Sequence, residues 1–147
     1  MDRQAASKRS SERGIHLFRI AGIDIRIDYS WFVIFVLVIW SLSAGYFPSQ
    51  YPDASTRVYW LAGLMATLLF FASILVHELA HSLVAIASGI EIPSITLFIF
   101  GGISKLSEEA KDPATEFKVA IAGPLSSLAL AGIFWLLAAQ LSGGVPS

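Results

Sequence analysis

The sequence predicts an α-helical integral membrane protein with three transmembrane helices and a short membrane-associated β region. Hydrophobic residues make up 55% of the 147 residues, whereas charged residues make up only 14%. The mean hydropathy is +0.67, and the chain has too few charged residues to cover a soluble domain. Three long, mostly uncharged stretches each have the length of a membrane crossing, which needs about 20 residues.

Charge and cysteine content exclude several kinds of site. The net charge of −1 gives no reason to expect a nucleic-acid partner. The chain has no cysteine, so disulfides, thiolate metal ligands and a cysteine nucleophile are excluded. Any metal ion must therefore be held by nitrogen and oxygen atoms. The sequence predicts no particular oligomeric state.

The N-terminal region divides into a tail and an amphipathic segment. Residues 1–14 are polar and basic, with no apolar run behind them that would make a signal peptide, so we expect a disordered cytosolic tail. In residues 15–28 isoleucines alternate with charged residues, which is the period of a strand with one apolar face. We expect this β segment to lie at the membrane surface, with Ala21-Gly22 as a hairpin turn. The alternating pairs are Ile23-Asp24, Ile25-Arg26 and Ile27-Asp28.

Three predicted spans follow. The first, residues 29–47, has no charged residue and carries aromatic residues at both ends, as is typical of membrane interfaces. The second, residues 58–87, is interrupted only by the ionisable residues discussed below. The third, residues 117–141, contains Pro124, which removes one helical hydrogen bond and kinks the helix. Residues 142–147 have the composition of a linker or a truncated end.

The distribution of Lys and Arg predicts the orientation. Most of these residues precede the first span, only Arg57 lies in the loop that follows it, and Lys105, Lys111 and Lys118 follow the second span. By the positive-inside rule, the N-terminus faces the cytosol and the second span descends towards the cytosol. We therefore expect the ionisable residues of the second span to lie inside the membrane, near its cytosolic side.

Three ionisable residues, His77, Glu78 and His81, interrupt the second span. Residues four apart lie on one face of a helix, so both imidazoles can bind a single ion, and Glu78 can reach a water molecule on that ion. This spacing is typical of zinc metalloproteases, in which the glutamate is the general base. Each ionisable group costs about 2.5–3.5 kcal/mol to insert into a membrane, and a divalent cation offsets that cost. We expect one Zn²⁺, with His77 and His81 as ligands and Glu78 as the base.

Two other interpretations of this cluster stay open. One is a proton or ion pathway, as in a transporter, and the other is a purely structural polar cluster. A transporter should place further polar side chains along a path, but beyond Lys118 at its start the third span offers only hydroxyl groups and Gln140, and the first span offers only hydroxyl groups. Glu78 could also act only through a hydrogen bond to a metal ligand. The remaining histidine, His16, lies in the surface segment, and we expect it to be structural or solvated.

A third zinc ligand is not evident in the sequence. Catalytic zinc usually has three protein ligands and one open position. The candidate carboxylates all lie in predicted surface segments or loops, and none lies inside a span. They are Asp24, Asp28, Asp53, Glu91, Glu108, Glu109, Asp112 and Glu116.

The motifs around the histidines recur together in a known family. They are HELAH inside a span (77–81), an apolar segment that ends in FGGI (100–103), and FKVAIAGPLSSL (117–128). In this combination the chain resembles the site-2 protease family of intramembrane zinc metalloproteases, over residues 15–137. The opening HLFRIAGIDIRIDYSWF is similar to the bacterial and archaeal branch of that family, which often carries C-terminal CBS domains.

The resemblance implies a three-helix catalytic core that cleaves a transmembrane helix of another protein in a prokaryotic cell membrane. It implies that His77 and His81 bind zinc and that Glu78 is the catalytic base. The family's third ligand is an aspartate in a later span, within an Asn/Pro-rich motif that ends in Asp-Gly. This sequence contains no such motif, so we expect a truncated or naturally short chain that lacks this ligand. The alternative is a catalytically inactive membrane scaffold that binds partner helices.

The segment 92–106 predicts a strand or hairpin that dips towards the cytosolic end of the second span. Its SITLFIF stretch is β-branched and aromatic, and the two glycines that follow allow a tight turn. We hypothesise that its edge holds an unwound substrate segment by β-augmentation; the alternative is a strand that only packs on the core. The candidate substrate-binding residues are Phe100, Gly101, Gly102 and Ile103.

Small residues in the third span form a face that permits close helix approach. We expect this face to pack against the second span near the metal site. A direct role in the site is the alternative, because the proline kink could leave a carbonyl group free near the metal. The residues assigned to this contact are Gly123, Pro124 and Ser127.

Overall fold

The computed structural model describes residues 14–99, 101–104 and 112–143. Most of the predicted tail, Phe100, Glu108, Glu109 and most of the predicted C-terminal linker lie outside this part of the chain. Within it, three helices are long and apolar enough to cross a membrane, namely Tyr29–Gln50, Thr56–Ala87 and Pro113–Leu141. The predicted fold class, a helical membrane protein with three spans and a small β region, is confirmed.

The strands lie in two pairs, one before the first helix and one between the second and third. The first helix (Tyr29–Ser41) continues through a π-helical turn (Leu42–Tyr46) and a short last helix (Phe47–Gln50). The elements are β1 (Ile15–Ile20), β2 (Ile23–Ile27), α1 (Tyr29–Ser41), α2 (Thr56–Ala87), β3 (Ser94–Phe98), β4 (Gly101–Ser104) and α3 (Pro113–Gly143).

Capping residues set the start of two helices. The Asp28 carboxylate accepts a hydrogen bond from the backbone N–H of Ser30 at 2.9 Å and so caps α1. Asp112 accepts bonds from the backbone N–H and the hydroxyl of Thr115 at 2.9 and 2.8 Å, and Pro113 suits the first helical position. Consequently α3 begins ahead of the apolar stretch on which the predicted span rests. The backbone bond from Thr115 also holds the pKa of Asp112 below its ordinary value.

The four strands form one sheet in the order β1-β2-β3-β4. The antiparallel hairpin of β1 and β2 turns at Ala21 and Gly22, whose φ angles are 51° and 80°. Glycine adopts such an angle without strain. Strand β2 pairs in parallel with β3, with Ile25 opposite Ile95, and β4 pairs antiparallel with β3. The two β segments predicted separately therefore belong to one sheet.

The core lies between this sheet and the helices α1 and α2. One cluster joins the sheet to the end of α2, and a second joins it to the start of α1 and the middle of α2. The first consists of Ile23, Ile25, Ala85, Ile90, Ile92 and Ile95. The second consists of Ile27, Trp31, Phe71 and Leu97. The sheet is thus fixed alongside the second half of α2, which carries the three ionisable residues.

Candidate metal centre

The α2 helix brings His77 and His81 onto one face, one turn apart. Their Nε2 atoms lie 3.1 Å from each other, and the two ring centroids are 4.7 Å apart. Both side chains are half-buried. The two imidazoles therefore converge on one point at the contact between α2 and α3.

The other ring nitrogens of both histidines are bonded to α3. Nδ1 of His81 lies 2.6 Å from the backbone carbonyl oxygen of Val119, and Nδ1 of His77 lies 2.8 Å from the hydroxyl of Ser127. A carbonyl oxygen only accepts, so Nδ1 of His81 carries the proton and Nε2 keeps its lone pair in the neutral ring. Metal-binding histidines commonly donate their second N–H to such a group, which fixes the orientation of the ring.

The pair of Nε2 atoms fits a zinc ion. Ligand bonds of about 2.0–2.1 Å in a tetrahedral site place two nitrogens about 3.3 Å apart, close to the observed 3.1 Å. A cation bound between two such nitrogens would offset the repulsion of their lone pairs. The donor set, two neutral imidazoles with no thiolate, is one that zinc accepts.

Gly123 of α3 faces the point at which the histidines converge. A Cβ atom added to Gly123 would lie 2.6 Å from Nε2 of His77 and would also collide with Nε2 of His81. Gly123 therefore packs directly against both nitrogens, and the structure has no room there for a side chain. This glycine lies at the contact between α2 and α3, directly opposite the two imidazoles.

Glu78 lies about 100° around the helix from His77 and faces the sheet. A Cβ atom added to Gly102 of β4 would lie 2.5 Å from Cγ and 3.0 Å from Cδ of Glu78. The backbone of β4 therefore passes directly against the carboxyl-bearing side chain. This contact places the predicted substrate segment beside the predicted catalytic base.

The described residues provide no third ligand. Within residues 14–99, 101–104 and 112–143, no group of three or more His, Cys, Asp or Glu side chains could hold a metal ion. Asp24 is bonded to Arg19 at 2.6 Å, and Asp28 and Asp112 cap helices. His16 is exposed and lies 3.4 Å from Asp24, away from the centre.

Three further residues predicted for the site lie in a helix or a strand: Pro124, Ile103 and Gly101. Pro124 lies inside α3, which stays one continuous helix to Gly143. Ile103 belongs to β4, where its backbone pairs with Thr96, and Gly101 starts that strand with a φ of 127°. Phe100 falls outside the described residues, so its predicted role stays a prediction.

The sequence analysis missed Val119 and assigned Ser127 mainly to helix packing, with a direct role in the site as the alternative. Val119, Gly123 and Ser127 recur every four residues and so form one stripe on α3. That spacing was the available signal for Ser127. For Val119 there was none, because the bonding group is a backbone carbonyl, which every residue carries.

Two comparisons relate the sequence to known proteins. A profile of peptidase family M50 matches residues 65–145, which is more than half of the chain. A Synechocystis protein named as a zinc metalloprotease is 47% identical over 116 residues, which cover 79% of this chain and 30% of the relative. Rip3 of Mycobacterium tuberculosis, also named as a zinc metalloprotease, is 43% identical over 129 residues, which cover 88% of this chain and 33% of Rip3.

A third comparison relates the fold to a solved structure. The chain is similar to the site-2 protease from Methanocaldococcus jannaschii, with a TM-score of 0.59 and 31% sequence identity. The match covers 87% of this chain and 52% of that protein. The chain spans about a third of the length of the curated relatives that it matches.

Proposed function

Because the chain belongs to peptidase family M50, we propose that it is the metal-binding core of a zinc metalloprotease that cleaves a peptide bond within or near a transmembrane helix of another protein. The observation that carries this proposal is the convergence of two histidine Nε2 atoms 3.1 Å apart. The Nδ1 atom of each ring is hydrogen-bonded to α3. The named relatives and the solved neighbour support the same class of activity.

Each side chain of the centre has a separate task in this proposal. His77 and His81 would hold Zn²⁺, which would supply the Lewis acidity that activates a water molecule near neutral pH. Glu78 accepts the proton that the attacking water loses. Val119 and Ser127 keep the imidazole rings turned so that both Nε2 atoms face the same point. The third ligand would come from outside the described residues.

The substrate is proposed to bind along β4. This strand is one edge of the sheet, and within the described part of the chain no strand pairs with its outer side. Transmembrane helices hide their backbone amides in internal hydrogen bonds, so a substrate must unwind before hydrolysis. An extended segment added to β4 at Gly101, Gly102 and Ile103 would pass the carboxyl group of Glu78, because Gly102 already lies against that side chain.

The proposed topology places the centre near the cytosolic face of the membrane. The excess of Lys and Arg before α1 puts the N-terminus in the cytosol by the positive-inside rule. The helix α2 then runs from the outer face towards the cytosol, so its histidines lie in the half of α2 nearer to that side.

Zinc content per chain in the detergent-purified protein tests the proposal. We expect close to one Zn²⁺ per chain, loss of the ion in His81→Ala, and retention in Glu78→Gln. Cleavage of a membrane-embedded substrate should fall by about 10²–10⁴-fold in Glu78→Gln, the usual contribution of a general base. A phenotype that survives Glu78→Gln unchanged would favour a catalytically inactive scaffold, and failure of the wild type to bind zinc would refute the metal site.

A further inference from the structure

The outer edge strand β1 exposes apolar side chains on the same face of the sheet that β2 buries. In the antiparallel register, Phe18 lies opposite Ile25 and Ile20 lies opposite Ile23. Residues paired in this way place their side chains on one face. Ile23 and Ile25 are fully buried (0% exposed), whereas Phe18 is 42% and Ile20 39% exposed. The apolar face of the sheet therefore extends beyond the helices that cover it.

A register shift in β1 keeps the apolar side chains of this strand on one face. The sequence IHLFRI does not alternate strictly between apolar and polar residues. The shift between His16 and Phe18 inserts Leu17 as an extra residue, as in a β-bulge. As a result, Ile15 and Phe18 share the apolar face, although they are three residues apart.

The opposite face of the hairpin is charged. His16 lies opposite Arg26, and Arg19 lies opposite Asp24. Arg19 donates hydrogen bonds to both carboxylate oxygens of Asp24, at 2.6 and 3.1 Å, and these bonds hold the pKa of Asp24 below its ordinary value. One face of the hairpin thus suits water and the other suits hydrocarbon.

Both ends of the hairpin adjoin the lipid-exposed surface of the helices. Its turn, Ala21 and Gly22, lines the same surface depression as Ile86 of α2, and Ile86 is still 37% exposed. At the other end, β2 leads through one residue to Tyr29, which begins α1 and is 65% exposed. The exposed apolar surface of α2 therefore reaches the depth of the hairpin turn, and β1 runs between two parts of the surface that faces lipid.

We propose that Ile15, Phe18 and Ile20 insert into the boundary between lipid headgroups and acyl chains, with the charged face of the hairpin towards the cytosol. The partner of this surface is the lipid bilayer. Because β1 and β4 are the two edges of one sheet, this anchor sets the depth at which β4 passes Glu78. The inference concerns the position of the sheet and does not depend on the proposed activity.

Nitroxide labels on single cysteines test the proposal, since the chain has no native cysteine. Phe18→Cys and Ile20→Cys place the label on the apolar face, and His16→Cys, on the charged face of the same strand, is the matched control. The labelled proteins are reconstituted into vesicles of phosphatidylcholine and phosphatidylglycerol, and collisions with oxygen and with a water-soluble nickel chelate are measured by electron paramagnetic resonance.

We expect labels at positions 18 and 20 to collide several-fold more with oxygen than with nickel, and the label at position 16 to show the reverse. Equal and high nickel accessibility at all three positions would overturn the proposal. So would protection from both reagents that disappears on dilution of the protein in lipid, because a second copy of the chain would then cover β1.

Discussion

Two glycines at helix contacts show how differently a close approach can be used. Gly63 of α2 faces Ser43 in the π-helical turn after α1, and Gly123 of α3 faces the two histidines of α2. In both places an added Cβ atom would collide with a polar atom of the neighbouring helix. Small residues permit such contacts between membrane helices in general.

The polar groups around the two glycines are bonded differently. Near Gly63, the buried hydroxyl of Thr67 donates to the Gly63 carbonyl of its own helix at 2.6 Å, and the Ser43 hydroxyl has no hydrogen-bond partner among the described residues. Near Gly123, both histidines are bonded across the contact to α3. Close approach alone is therefore packing, whereas convergent polar atoms held from a second helix indicate a binding site.

The largest expected effect separates the two glycines. Gly123→Ala should abolish zinc retention, because the new methyl group would collide with both Nε2 atoms and displace the two rings. Gly63→Ala should lower stability by about 1–3 kcal/mol, as overpacking does, while folded chains still hold zinc. Zinc per folded chain and thermal unfolding measure the two effects. Equal zinc loss in both variants would contradict a specific role of Gly123 at the metal site.

The next effect concerns the hydrogen bond behind His77. Ser127→Ala should weaken zinc binding by about 10–100-fold, as loss of a group that orients a ligand does, and Ser127→Thr should restore most of it. Ser73→Ala is the matched control, since the Ser73 hydroxyl lines the same depression as His77 and Ser127 but bonds to its own helix. Competition with a zinc chelator measures the affinity. Identical zinc affinities in Ser127→Ala and Ser73→Ala would mean that the hydrogen bond between Ser127 and His77 does not contribute to zinc binding.

A smaller effect is expected where β4 meets α2. Gly102→Ala should slow cleavage by about tenfold without loss of zinc, because the methyl group would displace Glu78 and small displacements of a catalytic group are costly. Gly132→Ala in α3 is the control, since an added Cβ atom there meets nothing within 4 Å. Zinc content and cleavage rate are measured on the same samples. A normal cleavage rate in Gly102→Ala would contradict the role of β4 in the proposed site.

The smallest effect involves the exposed ion pair of the β1–β2 hairpin. The hydrogen bonds from Arg19 lower the pKa of Asp24, so the pair stabilises the fold at neutral pH, and this contribution fades as the pH falls below about 3.9, the ordinary pKa of Asp. Asp24→Asn should therefore unfold at a slightly lower temperature than the wild type near pH 7. In acid the two unfolding temperatures should become equal. Thermal unfolding across that range is the measurement, and a constant difference down to pH 2 would contradict it.

Much of the fold could be predicted because hydropathy reports on the membrane directly. Spans and their order follow from the uncharged stretches, and the histidine spacing indicates a metal site. Hydropathy located the start of α1 at Tyr29 but not the start of α3, since Asp112 caps that helix ahead of its apolar stretch. The parallel pairing of β2 with β3 was missed for another reason: α1 and α2 separate the two strands, and no local pattern specifies such a distant partner.

The division of the metal centre between α2 and α3 has a consequence for biosynthesis. Synthesis proceeds from the N-terminus, so α2 leaves the ribosome before Val119 and Ser127 of α3 do. Until α3 arrives, His77 and His81 lack the partners that later orient them, and α2 carries its ionisable groups without compensation. Glycosylation mapping should therefore show poorer insertion of a chain that ends before Asp112 than of the whole chain. By this argument the helix that orients the two histidines would also favour the membrane insertion of the helix that carries them.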